Sequence, residues 1–259
     1  MKKNHKYIIE LKKVLLFTFS KQKPVIFDHL PKCGGSSINK YLISAFPSRY
    51  TYTTNGASSS DSVKEFKDLP AKRRHKIKLI YGHLANELFD FVHPDSVRAT
   101  IFRNPIDRIV SHYYYVKRAK NNYLHKRVED ENIQLDDYCY RNLSGELENW
   151  YVSHFSGLDI HEVQKNPEKS VELAYSNIVG KFHVIGFQDD ISSFIEELKQ
   201  YAKINTQYKN EIVNKTKNRK KVKDIDQGTI ERISKKNSLD LELFKKLYSK
   251  RKNNIIKRR

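Results

Sequence analysis

A lysine, two adjacent glycines and two serines in Lys32-Cys33-Gly34-Gly35-Ser36-Ser37 are the residues of this sequence best suited to holding an anion. Glycine tolerates positive φ and lets a ligand come against the backbone. Consecutive N–H groups that open a helix lie at its positive end, where phosphate binds. Ser36 and Ser37 can cap such a helix or bond a phosphate oxygen, and Lys32 adds a full charge. A Walker A loop would read Gly-x-x-x-x-Gly-Lys-Ser/Thr. Here Lys32 precedes the glycines, which disfavours a standard ATPase or GTPase. An ordinary Gly-Gly turn with serine as N-cap fits the same residues.

A second cluster is Ile101-Phe102-Arg103-Asn104-Pro105, which runs on to Ser111. Asn104 suits an N-cap and Pro105 the first helical position. Arg103 then ends a strand, and Ser111 lies almost two turns into the next helix, about 10 Å along it. Both can meet one anion lying against the side of that helix, although a strand-terminal arginine is as often structural. The third candidate is His83, directly after Gly82. With an unperturbed pKa of about 6.5, its imidazole can accept a proton near neutrality. A bond to a neighbouring backbone group is the competing role.

Four apolar runs must position these residues: Pro24 to Leu30, Ile77 to Tyr81, Arg98 to Phe102 and His183 to Phe187. Three lead within a few residues into a helix or a helix start. Short apolar strands alternating with helices predict an α/β fold, a mostly parallel central sheet covered by helices on both faces. Ligands bind at the carboxyl ends of such strands, where Lys32, His83 and Arg103 cluster. Residues 51–62, rich in Thr, Ser, Asn and Gly, read as a surface loop. Residues 117–145 read as helices laid over the nucleotide domain, and Thr229 to Lys250 has helical periodicity. Expected are an N-terminal segment 1–23, one domain over 24–250 and a basic tail over 251–259.

The 259 residues carry 49 Lys+Arg against 30 Asp+Glu, a net charge of +19, so an anionic partner is expected. With 31% charged residues the chain does not suit a bilayer interior, and 9 Gly exclude a collagen-like repeat. Sixteen Tyr and thirteen Phe argue against wholesale disorder. Two cysteines, Cys33 and Cys139, exclude a disulfide framework, and the ten His lack paired metal-helix spacing, so no metal is expected. The first apolar stretch, Val14 to Phe19, is shorter than the about 7–15 residues of a signal peptide or the about 20 of a span. A cytoplasmic, unanchored protein is expected. Ile8, Leu11 and Leu15 sit at helical spacing and predict a small helix packed on the core. The basic run Lys215 to Lys223 lacks the interleaved aromatics of a nucleic-acid surface, so no nucleic-acid partner is expected.

Phe27 to Ser37 resembles the 5′-phosphosulfate loop of sulfotransferases that use 3′-phosphoadenosine 5′-phosphosulfate (PAPS). Ile101 to Ser111, followed by three tyrosines, resembles their 3′-phosphate segment. The likeness is to the carbohydrate branch that includes heparan sulfate 2-O-sulfotransferases and bacterial relatives. Further agreement comes from Ile80 to Leu84, from Asn149-Trp150-Tyr151 to Gly157, and from Val184 to Phe187. The resemblance implies a P-loop-like three-layer fold and transfer of a sulfuryl group from PAPS to an acceptor hydroxyl, most readily on a glycan. It implies that Lys32 contacts the phosphosulfate and that Cys33, Gly34, Gly35, Ser36 and Ser37 hold the 5′-phosphate. Arg103 and Ser111 would hold the 3′-phosphate, Lys215 and Thr216 would close over the nucleotide, and His83 would be the base. Cys33 stands where the family usually has Thr, and Tyr81 where heparan-type members can carry a second histidine. Positions 117–160 are left for the acceptor. The alternatives are a P-loop kinase-like transferase and a basic nucleic-acid-binding protein.

Overall fold

A computed structural model describes residues 10, 11, 13–15, 17, 21–55, 58–141, 143–208 and 219–257, with side chains up to Arg251. Chain contacts divide it into two compact units, Met1–Phe102 with Phe182–Asn214, and Arg103–Lys181 with Lys215–Arg259.

The first unit holds a five-stranded, all-parallel sheet in the order β2-β3-β1-β4-β5. Its strands are β1 (Val25–Asp28), β2 (Thr51–Thr53), β3 (Leu79–Gly82), β4 (Val97–Phe102) and β5 (Val184–Phe187). Three of the four residues of β5 and all of β1 are buried, which explains the near-continuous apolar runs: a parallel strand covered on both faces cannot alternate with polar residues. Successive residues of β1 point to opposite faces. On one face Phe27 meets Phe194 of the helix Ile191–Ala202, ring centroids 6.0 Å apart, and His29 meets Gly35 at the start of the helix Gly35–Ala45. On the other, Asp28 accepts from the amide of Asn86 in the 3-10 helix Ala85–Phe91. The result is the three-layer α/β fold expected, with β1 central between β3 and β4.

Residues 51–62 are not one loop. Thr51-Tyr52-Thr53 form the edge strand β2, paired with β3, and Ser58 caps a helix over Ser59–Asp68 by accepting from the Asp61 amide. Two β-branched residues flanking a tyrosine suit a strand, and the serine-to-aspartate spacing is a helix-start signal. Both were hidden by the polar composition. Leu11 and Leu15, expected to pack on the core, are 45% and 59% exposed; Ile8 lies outside the described residues.

The second unit is helical. Asn104 caps the helix Pro105–Arg118, its side chain accepting from Ile106 and Asp107 amides, with Pro105 in the first turn as expected. Ile109, Val110, Tyr113 and Val116 of that helix pack on Val128, Ile133, Tyr138, Cys139, Leu143 and Leu147. The helices expected over 117–145 are therefore short, His125–Asp130 and Leu135–Tyr138, and they are built into this core. The helix Pro167–Lys181 packs against Trp150–Ser156 and against Ser238–Lys257. That last helix carries the backbone through most of the expected tail.

Candidate functional site

The chain leaves β1 at Asp28 and enters the turn that carries the first anion-binding candidates. Lys32 (φ 65°) and Gly34 (φ 86°) are both left-handed, on either side of Cys33. Such alternation of backbone hand turns successive N–H groups to one side and makes an anion nest. A left-handed lysine is uncommon, since its Cβ crowds the backbone there. The loop spends that strain to place Lys32 between β1 and the helix. Gly34 is the helix N-cap, so neither Ser36 nor Ser37 caps. Both lie in the first turn, and the Ser37 amide bonds to the Gly34 carbonyl at 3.3 Å. Cys33 is fully buried with its thiol toward the Pro31 carbonyl at 3.5 Å, so its side chain is packed inside the loop. Only its backbone can serve a ligand.

Gly35 is small for a different reason than a ligand's approach. A Cβ there would stand 2.0 Å from the His29 ring. That ring also lies against His83, centroids 4.7 Å apart, and its Nδ1 accepts from the Asn39 side-chain amide at 3.2 Å. Burial first, then the neighbouring His83 and Lys32, hold the His29 imidazole down at about 3. His29 is thus neutral, its proton on Nε2, and it brings the phosphate loop, Lys32 and His83 around one ring. Since unfolded histidine titrates near 6.5, unfolding takes up a proton at His29 between pH 6.5 and about 3. Its contribution to stability is present above pH 6.5 and is lost as pH falls, by about 1.4 kcal/mol per pH unit. Urea unfolding at pH 7, 6, 5 and 4 is expected to show this slope and His29→Gln to lose it. An unchanged slope in the variant would place the acid sensitivity elsewhere.

His83 follows β3 at the same sheet edge. Gly82 (φ 137°) allows the chain to pass close under Thr54 and Asn55, where a Cβ would meet Thr54 Oγ1 at 2.4 Å. The His83 amide donates to Asn55 Oδ1 at 3.2 Å, and its Nδ1 lies 2.5 Å from the His29 carbonyl. A carbonyl only accepts, so Nδ1 carries the proton and Nε2 bears the lone pair. The backbone bond named as the competing role is thus present, and it leaves Nε2 as the nitrogen able to accept.

The same unit holds a cleft of about 330 Å³ lined by Ser37, Lys40, Tyr41, Ser44, Thr206 and Tyr208. Tyr41 donates to the Thr206 carbonyl and meets the Tyr208 ring edge-on. The cleft is contiguous with the phosphate loop through Ser37. Nothing in the spacing from 37 to 208 announces it.

In the second unit Arg103 Nε donates to Asp107 Oδ2 at 2.6 Å, and Arg219 donates to the other oxygen of the same carboxylate. Burial, and then Arg103, lowers the Arg219 pKa to about 10. Two guanidinium groups on one carboxylate leave a net positive centre suited to an anion. Ser111 is buried on the helix that carries Asp107, four residues further along the same face. Asp107 and Arg219 were not singled out from sequence. The arginine–aspartate spacing of four was a signal for the first, but no local pattern links 219 to 107. Lys215 and Thr216 lie outside the described residues. Among the described residues no group of His, Cys, Asp and Glu is arranged to hold a metal, and no helix is long and apolar enough to cross a membrane.

A left-handed loop with two glycines and a histidine with a fixed Nδ1 contact stand at the carboxyl edge of a parallel α/β sheet, the edge where ligands bind in folds of this class. A family model described as the sulfotransferase family matches residues 16–249, and the chain belongs to that family. No curated protein matches it. Among solved structures it is similar to mouse sulfotransferase SULT7A1 complexed with PAP, at 14% identity and a TM-score of 0.38, covering 89% of this chain and 70% of that one.

Proposed function

We propose that this sulfotransferase uses PAPS as donor and acts on a hydroxyl of a carbohydrate. The observation that carries the reading is the junction of loop and base at His29: one neutral ring touches His83 and packs on Gly35, the first helical residue of the phosphate loop. PAPS would supply an activated sulfuryl group on a 5′-phosphate. His83 Nε2 takes the proton of the acceptor hydroxyl as its oxygen bonds to sulfur. The bond from sulfur to the phosphate oxygen breaks, and Lys32 with the amides of Gly34 to Ser37 stabilises the charge left on that oxygen. The products are the sulfate ester and adenosine 3′,5′-bisphosphate (PAP). Arg103 and Ser111, with Arg219 beside them, are assigned to the 3′-phosphate, and Lys215 and Thr216 to the closing loop. The cleft lined by Tyr41 and Tyr208 is assigned to the nucleotide's aromatic base. Positions 117–160 are assigned to the acceptor and residues 24–250 to the working domain. Two buried cysteines, neither in a disulfide, suit a cytoplasmic setting.

Incubation with sulfur-labelled PAPS and a panel of hydroxylated glycans is expected to label an acceptor, and PAP is expected to outcompete ADP. A preference for ADP would replace this reading with an ATP-dependent transferase.

A further inference from the structure

Arg103 stands where β4 has just ended, so its amide and carbonyl have left the ladder and need other partners. One side chain serves both. The Tyr151 hydroxyl accepts from the Arg103 amide at 3.3 Å and donates to the Arg103 carbonyl at 3.0 Å. Tyr151 is fully buried, and its ring carries the Arg108 guanidinium 5.1 Å above its centre.

Tyr151 is itself held by a pair of helices that cap one another. The Asp240 carboxylate accepts from the amides of Tyr151 at 3.0 Å and Val152 at 2.9 Å, in the first turn of Trp150–Ser156. In return, the Asn149 side-chain oxygen accepts from the amides of Leu239 and Asp240, in the first turn of Ser238–Lys257. The Asn237 side chain accepts from the Asn149 amide and donates to the Leu147 carbonyl. Asn149 is left-handed (φ 43°), a conformation that asparagine tolerates better than most residues. Asp240 is fully buried, and each of its oxygens is engaged by an amide.

We propose that Tyr151, locked by the reciprocal Asn149 and Asp240 caps, is a positioning residue that fixes the backbone of Arg103 and so sets discrimination for the 3′-phosphate. The proposal rests on the assignment of Arg103 to that phosphate. A hydroxyl that grips both backbone groups of one residue fixes where its side chain starts, and a guanidinium recognises a phosphate only when its fork is aimed. Asn149 and Asp240 lie 91 residues apart in the chain, so the C-terminal helix takes part in aiming an arginine far from it in sequence.

The test is the ratio of affinities for PAP and adenosine 5′-monophosphate, measured by calorimetry on the full chain. The ratio isolates the 3′-phosphate, and a general loss of structure would lower both affinities together. Tyr151→Phe keeps the ring and removes the hydroxyl that bonds the Arg103 amide and carbonyl. It is expected to lower the ratio about tenfold with little change for the monophosphate. Asp240→Asn, which keeps the volume, is expected to lower the ratio to a smaller extent and stands in if the tyrosine variant does not fold. Arg103→Ala is the reference and should abolish the preference. If Arg103→Ala abolishes it while Tyr151→Phe and Asp240→Asn leave it intact, the positioning role is wrong and the arginine assignment stands. If Arg103→Ala leaves the ratio unchanged, the assignment fails and the positioning role with it.

Discussion

His83→Ala is expected to lower kcat by about 10²–10⁴-fold while the affinity for PAP stays close to that of the parent chain. The separation follows from geometry. His83 lies after β3, beside the phosphate loop and not within it, and its bonds run to Asn55 and to the His29 carbonyl. Its removal leaves the left-handed Lys32 and Gly34 in place. What is lost is a lone pair on Nε2, held there because Nδ1 is committed to a carbonyl. Single-turnover sulfate transfer combined with calorimetric PAP titration measures both quantities. Full activity in the variant would show that another group takes the proton. A parallel loss of PAP affinity would make His83 a binding residue instead.

The second large effect is expected for Lys32→Ala, with PAP binding weakened and turnover lowered together by at least about 10²-fold. Lys32 is the full positive charge in the turn, placed there by a left-handed backbone that an alanine would also have to adopt. Its field is already felt by His29, whose imidazole it helps to keep neutral. A cation needed both by the bound nucleotide and by charge growing on the leaving oxygen acts in ground and transition states alike, so both parameters should fall. Lys32→Arg restores the charge but not the compact ammonium, and is expected to recover binding more than turnover. Normal kcat with weakened binding in Lys32→Ala would confine the residue to nucleotide capture.

Much of the scaffold was legible because it is written locally. Buried parallel strands need continuous apolar runs, so β1, β3, β4 and β5 stood out. The edge strand β2 did not, since an edge position tolerates Thr51-Tyr52-Thr53 with partial exposure. Asn104 and Pro105 announced their helix because capping is decided within three residues. The serines after Gly35 suggested a cap by the same rule, yet the N-cap is Gly34, whose left-handed backbone glycine adopts at no steric cost. Arg103 and His83 were visible as polar candidates at strand ends, and Ser111 on the helix that follows. Asp107 and Arg219, which complete the charge around Arg103, depend on a contact across 112 residues.

The sequence by itself determined which residues carry charge, which strands are buried, and where a loop with Lys32 and two glycines must turn. Those properties depend on side-chain chemistry and on neighbours a few positions away. Only the tertiary structure decided what the candidates do to one another. It made His29 the ring between Gly35 and His83, placed the proton on His83 Nδ1, and buried the Cys33 thiol. It also joined Asn149 to Asp240 behind Tyr151 and Arg103. Hydrogen-bond partners, tautomers and buried charge depend on groups brought together from distant parts of the chain, and no spacing along it encodes them.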